Sequence, residues 1–237
     1  MVIGVIVVTV LVVGVAILAR NVTDTGPLSG PFPSSTVSGW DDSSPLPSGP
    51  PPPGGGGPEA CVPGDPGRRG DHPDDDRVYG GNLSFAEERS YEPAAPENRL
   101  SFAHDVTQQV SWMNRRPGWI GQLAVGRLRA DDGFTESARA TATTAVQCIV
   151  TSNMYLPYEP TDREISSEQT SVSGHDAWRI DLEVRVEEQG LPFPGDQVIV
   201  VVVEDGDDWG LFFGAVPIGN DRQREILEAA VASLRAS

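Results

Sequence analysis

Ala177–Glu187 reads AWRIDLEVRVE and Val198–Val203 reads VIVVVV, and these two runs decide the fold. The first alternates without a fault. Trp178, Ile180, Leu182, Val184 and Val186 fall on one side and Arg179, Asp181, Glu183, Arg185 and Glu187 on the other, the period of a strand wet on one face. The second is apolar and β-branched throughout, as in a central strand covered on both faces. Glu204-Asp205-Gly206-Asp207-Asp208 separates it from a further apolar run, Gly210–Val216, and Asp-Gly between such runs signals a hairpin. Trp119–Leu128 (WIGQLAVGRL) predicts another strand, with shorter candidates at Asn82–Phe85 and Leu100–Val106.

Two helices are expected among these strands. Across Phe134–Ser152, Ala138, Ala142, Ala145 and Ile149 make one narrow apolar stripe, with Thr135 placed to cap it. Across Asp221–Leu234, Ile226, Leu227, Ala230, Val231 and Leu234 share a side, and Asn220 with Gln223 resembles a capping box. The expectation is an α+β domain over residues 77–237: an antiparallel sheet of about five to six strands with two helices packed on one face. No βαβ rhythm of a nucleotide-binding sheet is present.

Outside that domain the composition changes twice. Val2–Ala19, VIGVIVVTVLVVGVAILA, carries no charge and is closed by Arg20. As a helix it would be about 27 Å long, close to the ~30 Å of a bilayer core. A cleaved signal peptide is the competing reading, but no basic region leads it and Ile17-Leu18-Ala19 is a poor cleavage site. Residues 1–20 are therefore expected to be a retained transmembrane anchor, with residues 2–19 in the lipid bilayer. Residues 21–76 hold 13 Pro and 11 Gly in 56 positions, including PSGPPPPGGGGP at 47–58, and read as a disordered stalk.

Net charge is −17, with all 17 basic residues arginine against 34 acids. Acids and arginines alternate along the domain, which excludes the basic stripe that nucleic acid requires. One positive group lies on each side of the apolar run, so charge does not orient it. A proline-rich stalk followed by two cysteines without redox or metal spacing fits an exported domain, placing residues 77–237 outside the cell membrane. Cys61 lies where the stalk ends, and Cys148 on the flank of the first helix stripe. A disulfide between them is expected, the alternative being two unrelated buried thiols.

Several stretches together carry a resemblance: Cys61–Pro66 (CVPGDP), Arg77–Phe85 (RVYGGNLSF), Gly118-Trp119-Ile120, Val125–Leu128 (VGRL) and Trp209–Pro217 (WGLFFGAVP). The series resembles an actinobacterial family of membrane-anchored proteins of unassigned function, which also have an anchor and a proline-rich stalk. Their C-terminal domain is similar in element order to the PsbP-like fold, which includes the LpqN-type envelope lipoproteins. The resemblance implies a fold and a location, and brings no catalytic residues. Unlike the lipoproteins, this chain has no cysteine after the apolar run to accept a lipid.

No HExxH, GxSxG, CxxC or phosphate-loop spacing occurs, so no catalytic residue, cofactor or metal ligand is expected. His72 stands in an acidic linker, His175-Asp176 near Ser173 has triad residue types in the wrong relation, and His104 has no motif around it. Trp112, Trp119, Tyr155, Tyr158, Trp178, Trp209, Phe212 and Phe213 either line a cleft between sheet and helix or belong to the core. Arg115, Arg116 and Trp119 form the candidate partner-binding turn, because an adjacent arginine pair in an acidic domain can grip carboxylate or phosphate groups. The functional expectation is a non-catalytic binding or scaffolding module for an envelope protein, glycan or lipid. The alternatives are a hydrolase assembled across the fold, which needs His104 or His175 to meet an acid and a nucleophile, and a small-ligand or lipid carrier, which needs an apolar cavity of roughly 300 Å³ or more.

Overall fold

The structure, a computed structural model, describes residues 61–115, 118–134, 137–188 and 190–236. The expected anchor, the stalk up to residue 60 and Arg116 lie outside the described residues, as does the side chain of Arg115. In chain order the elements are β1 (Arg77–Gly80), β2 (Leu83–Ala86), β3 (Ala95–Pro96), β4 (His104–Arg115), β5 (Gly118–Leu128), α1 (Ala138–Val150), β6 (Thr161–Val172), β7 (His175–Arg185), β8 (Gly195–Asp205), β9 (Asp208–Pro217), α2 (Asp221–Ala232) and β10 (Arg235–Ala236). Seven strands form one antiparallel sheet in the order β3-β4-β5-β9-β8-β7-β6, and β1-β2-β10 form a second, small one.

The sheet is larger than the five or six strands expected. The added strands are the two-residue β3 at one edge and β6, TDREISSEQTSV, at the other, whose polar sequence carries no core signal because it forms an exposed edge. Edge strands that stay polar and bulged resist pairing with other chains, and β6 has both properties, with a bulge between Glu164 and Ser166.

The two helices pack on opposite faces of the sheet, which corrects the expectation of one. Val198, Val200 and Val202 of β8 share a face with Leu182, Ile180 and Trp178 of β7, and α1 lies on β7 and β8 there, with Arg139 stacked over Trp178. Ile199 and Val201 share the other face with Gly214 and Phe212, where Leu227 of α2 sits so close to Gly214 that an added Cβ would collide with its Cδ1. The small sheet shares that second face, with Phe85 set edge-on to Phe212. A strand apolar on both sides needs two covers, and each helix has only one apolar stripe to give. Arg179, on the wet side of the alternating strand, is half covered in turn: it grips Asp181 and reaches Glu228 of α2 at 2.8 Å.

The first helix begins later than periodicity suggested. Ser137 caps α1 by accepting from the Ala140 N–H, and Asn220 caps α2 as expected, accepting from the Gln223 N–H. The hairpin between β8 and β9 turns through Gly206 and Asp207, with Gly206 at φ +62°, a backbone region closed to most side chains. Cys61 is joined to Cys148 of α1, with Cα atoms 5.5 Å apart. The segment ahead of Arg77 is therefore tied to the domain as far back as Cys61: Gly64 donates to the Ser101 carbonyl, Val106 to that of Pro66, and Asp105 receives the Gly70 N–H and His72 Nε2.

Candidate functional site

α1 is too short to cover all of its face. Past its end the chain makes a one-turn 3₁₀ helix, Leu156–Tyr158, and lays Met154, Tyr155 and Tyr158 over the remaining area beside Ile120 and Gln122 of β5 and Ala215 of β9. A cavity of about 160 Å³ is left between them. Asp196 near the start of β8 forms part of its wall and is only 8% exposed. Trp119 Nε1 donates to one carboxylate oxygen and the Tyr155 hydroxyl to the other, both at 2.9 Å. Burial pushes the Asp196 carboxyl up to about 6, the two hydrogen bonds opposing the rise. Burial, and then the Asp196 charge, likewise holds the Tyr155 phenol well above its ordinary value.

A second polar group adjoins the first. Glu97 is 1% exposed and receives the Arg99 backbone N–H, Arg99 Nε at 3.2 Å, Arg99 Nη2 at 3.1 Å and Gln122 Nε2 at 2.8 Å. Arg99 Nη2 also reaches Gln122 Oε1 at 2.9 Å. A buried carboxylate needs such a complement of donors to replace the water it has lost. Arg99 itself stays open to solvent, its side chain 42% exposed, and lines the cavity.

Of the residues singled out in the candidate turn, only Trp119 can be placed as a side chain. Arg115 pairs with Gly118 across the hairpin through its backbone, while the Trp119 indole turns inward to Asp196 and lies edge-on to Phe193 at 5.8 Å. The aromatic set divides. Trp119, Tyr155 and Tyr158 line the cavity, Trp112 stands exposed beside its Gly118 wall, and Trp209, Phe212 and Phe213 are core. Arg99 and Asp196 carried no motif and were not foreseen. The faint signal for Asp196 is its place at the head of an otherwise apolar strand.

The histidines do not converge. His104 accepts from the Asp65 N–H at Nδ1, so Nε2 carries the proton that goes to Asp132, 2.6 Å away. His72 meets Asp105 at 2.8 Å and stacks on Tyr79, and His175 donates from Nδ1 to the Glu204 carbonyl. No hydroxyl or thiol is bonded to any of the three rings among the described residues, and no three His, Cys, Asp or Glu side chains there group as a metal site would require. A second, strongly polar cavity of about 270 Å³ lies between Asp74–Tyr79, Glu87 and Thr107.

No family model matches the chain, and no curated protein matches it. Among solved structures it is similar to the cyanobacterial PsbP (CyanoP) of Synechocystis, at 10% identity and a TM-score of 0.46, over 67% of this chain and 91% of that one. It is also similar to a Pseudomonas aeruginosa protein of unknown function described as a putative regulator (10% identity, TM-score 0.36, 66% and 92% covered). A point mutant of Mog1 is a third (12% identity, TM-score 0.39, 68% and 94% covered).

Proposed function

We propose that this chain is a single-pass, membrane-anchored envelope protein of the actinobacterial type described above, whose PsbP-like domain is a non-catalytic binding module working through the Trp119–Asp196 cavity and its rim. The carrying observation is where exposed apolar side chains gather. Of five large ones among the described residues, Trp112, Leu156 and Tyr158 stand at or beside this cavity, where a soluble surface would ordinarily place polar groups. A cavity of about 160 Å³ is roughly half of what a carrier needs to enclose a lipid or drug-sized ligand, so contact at a partly open surface is favoured over a carrier. A hydrolase is disfavoured because both ring nitrogens of His104 are already engaged.

Two experiments test this reading. A photocrosslinking residue at position 156 in the anchored chain should trap a species that one at exposed Ile165 on the β6 edge does not, and Trp112→Ser should diminish it. Equal capture at both positions sinks the binding face. For the anchor, protease added to intact wall-stripped cells should release the domain from residues 2–19, whose apolar length supports a span. Complete protection would reverse the topology.

A further inference from the structure

We propose that the cavity takes an apolar group bearing a terminal carboxylate, anchored by Arg99; this rests on reading the cavity as the binding site. The argument comes from which polar atoms of the lining still have bonding capacity to offer. Asp196 accepts at both oxygens, the Trp119 N–H and Tyr155 O–H are spent on it, and the Gln122 amide is engaged at both ends. Arg99 uses Nε and Nη2 on Glu97, Gln108 and Gln122. Its Nη1 and the Tyr158 hydroxyl make no hydrogen bond to any described residue. What remains on the lining is the pair of Arg99 Nη1 N–H donors and the Tyr158 hydroxyl, so a ligand that brings an acceptor, best an anionic one, meets unspent donors.

The guanidinium is also preorganised. Glu97 holds it as a fork, so a second carboxylate meets Nη1 without a further loss of side-chain freedom. The remaining wall, Ile120, Val186, Leu191, Met154 and Ala215, is apolar and admits one compact side chain or ring. Trp112 and Leu156, exposed outside it, can support a longer chain. The charged and titratable groups lining the cavity are Arg99, Asp196, Tyr155 and Tyr158, with Glu97 beneath Arg99. Ionised Asp196 repels an anion, and with its carboxyl pushed up to about 6 this repulsion fades as the pH falls through that value.

The test is calorimetric titration of the full chain in detergent micelles with N-acetylglycylphenylalanine, its carboxamide, and hydrocinnamate. The acid should bind at least about tenfold more tightly than the amide, more tightly at pH 5 than at pH 7.5, and shift the indole N–H resonance of Trp119. Removing Arg99 alone orphans buried Glu97, so the variant is the pair Glu97→Gln with Arg99→Gln, which should abolish the preference for the acid while thermal unfolding shows it still folded. Asp196→Asn should flatten the pH dependence. Hydrocinnamate binding as well as the peptide acid identifies a free carboxylate as sufficient; binding of the peptide acid alone identifies a chain terminus. Equal affinity for acid and amide, no binding of either, or an acid preference that survives in the paired variant overturns the proposal. If the carboxylates fail while Trp112-dependent crosslinking at position 156 persists, the ligand chemistry falls and the binding face stands.

Discussion

At the residue scale, Asp196 has a stability consequence whose sign follows from its surroundings. Folded, its carboxyl is pushed up to about 6 by burial, from an unfolded value near 3.8. A raised folded value means the native state holds its proton more tightly, so this contribution is fully present below about pH 3.8 and is lost as pH rises through 6. Two units correspond to about 3 kcal/mol. Urea unfolding at pH 4 and pH 7 should show the wild type losing most of that, about 2–2.5 kcal/mol, relative to Asp196→Asn, which carries no titrating group there; parallel profiles would refute the assignment. The other functional side chain, Arg99, was illegible in the sequence for a related reason. A lone arginine reads as surface charge, and only the chain path that buries Glu97 beside it makes it a held donor. Trp119 stood out in the sequence beside the arginine pair, but its direction was not legible there, because whether an indole next to a hairpin turn reaches inward, as this one does to Asp196, depends on a partner 77 positions away.

At the scale of elements, the close seat of α2 on β9 depends on Gly214. A Cβ there would collide with Leu227 Cδ1, and Leu227 is buried in a packed layer that cannot yield cheaply. Gly214→Ala should destabilise the domain by about 1–3 kcal/mol, the usual cost of overpacking. Combining it with Leu227→Ala should cost clearly less than the sum of the two, since the second change removes the colliding atom. Strict additivity in denaturant titrations would mean that the contact is not what α2 is seated on. The helix itself was readable from its stripe of Ile226, Leu227, Ala230, Val231 and Leu234, and its Asn220 cap from one residue. Its face of the sheet was not, although VIVVVV already carried the reason: a strand apolar on both sides cannot be satisfied by helices on one. β6 was missed because its mostly polar sequence forms an exposed edge, and most of β4 because the residues it buries include the polar Thr107 and Gln109, which break the apolar pattern.

At the scale of the whole molecule, the Cys61–Cys148 bridge clips the first described residue to α1 over a sequence separation of 87. In the chain-entropy model a loop of that length contributes about 4–5 kcal/mol, acting on the unfolded chain. The paired Cys61→Ser and Cys148→Ser chain should lose most of that in guanidinium titration, with little change in the far-ultraviolet spectrum of the folded state. A loss below about 1 kcal/mol would show that hydrogen bonds through Gly64, Pro66 and Gly70 already hold the segment. The pattern of what could be read follows the range of the physics. Period, caps and the Asp-Gly hairpin are local, set by residues within a turn or two of one another, so the amino-acid sequence by itself determined an antiparallel α+β domain with two helices and their boundaries to within a few residues. Which face each helix covers, where the polar edge lies, that the folded region reaches back to Cys61, and that Glu97, Arg99, Trp119, Tyr155 and Asp196 meet around one cavity were decided only by the tertiary structure. Those facts depend on contacts between residues up to about a hundred positions apart, whose free energy comes from excluding water between surfaces that no single stretch contains.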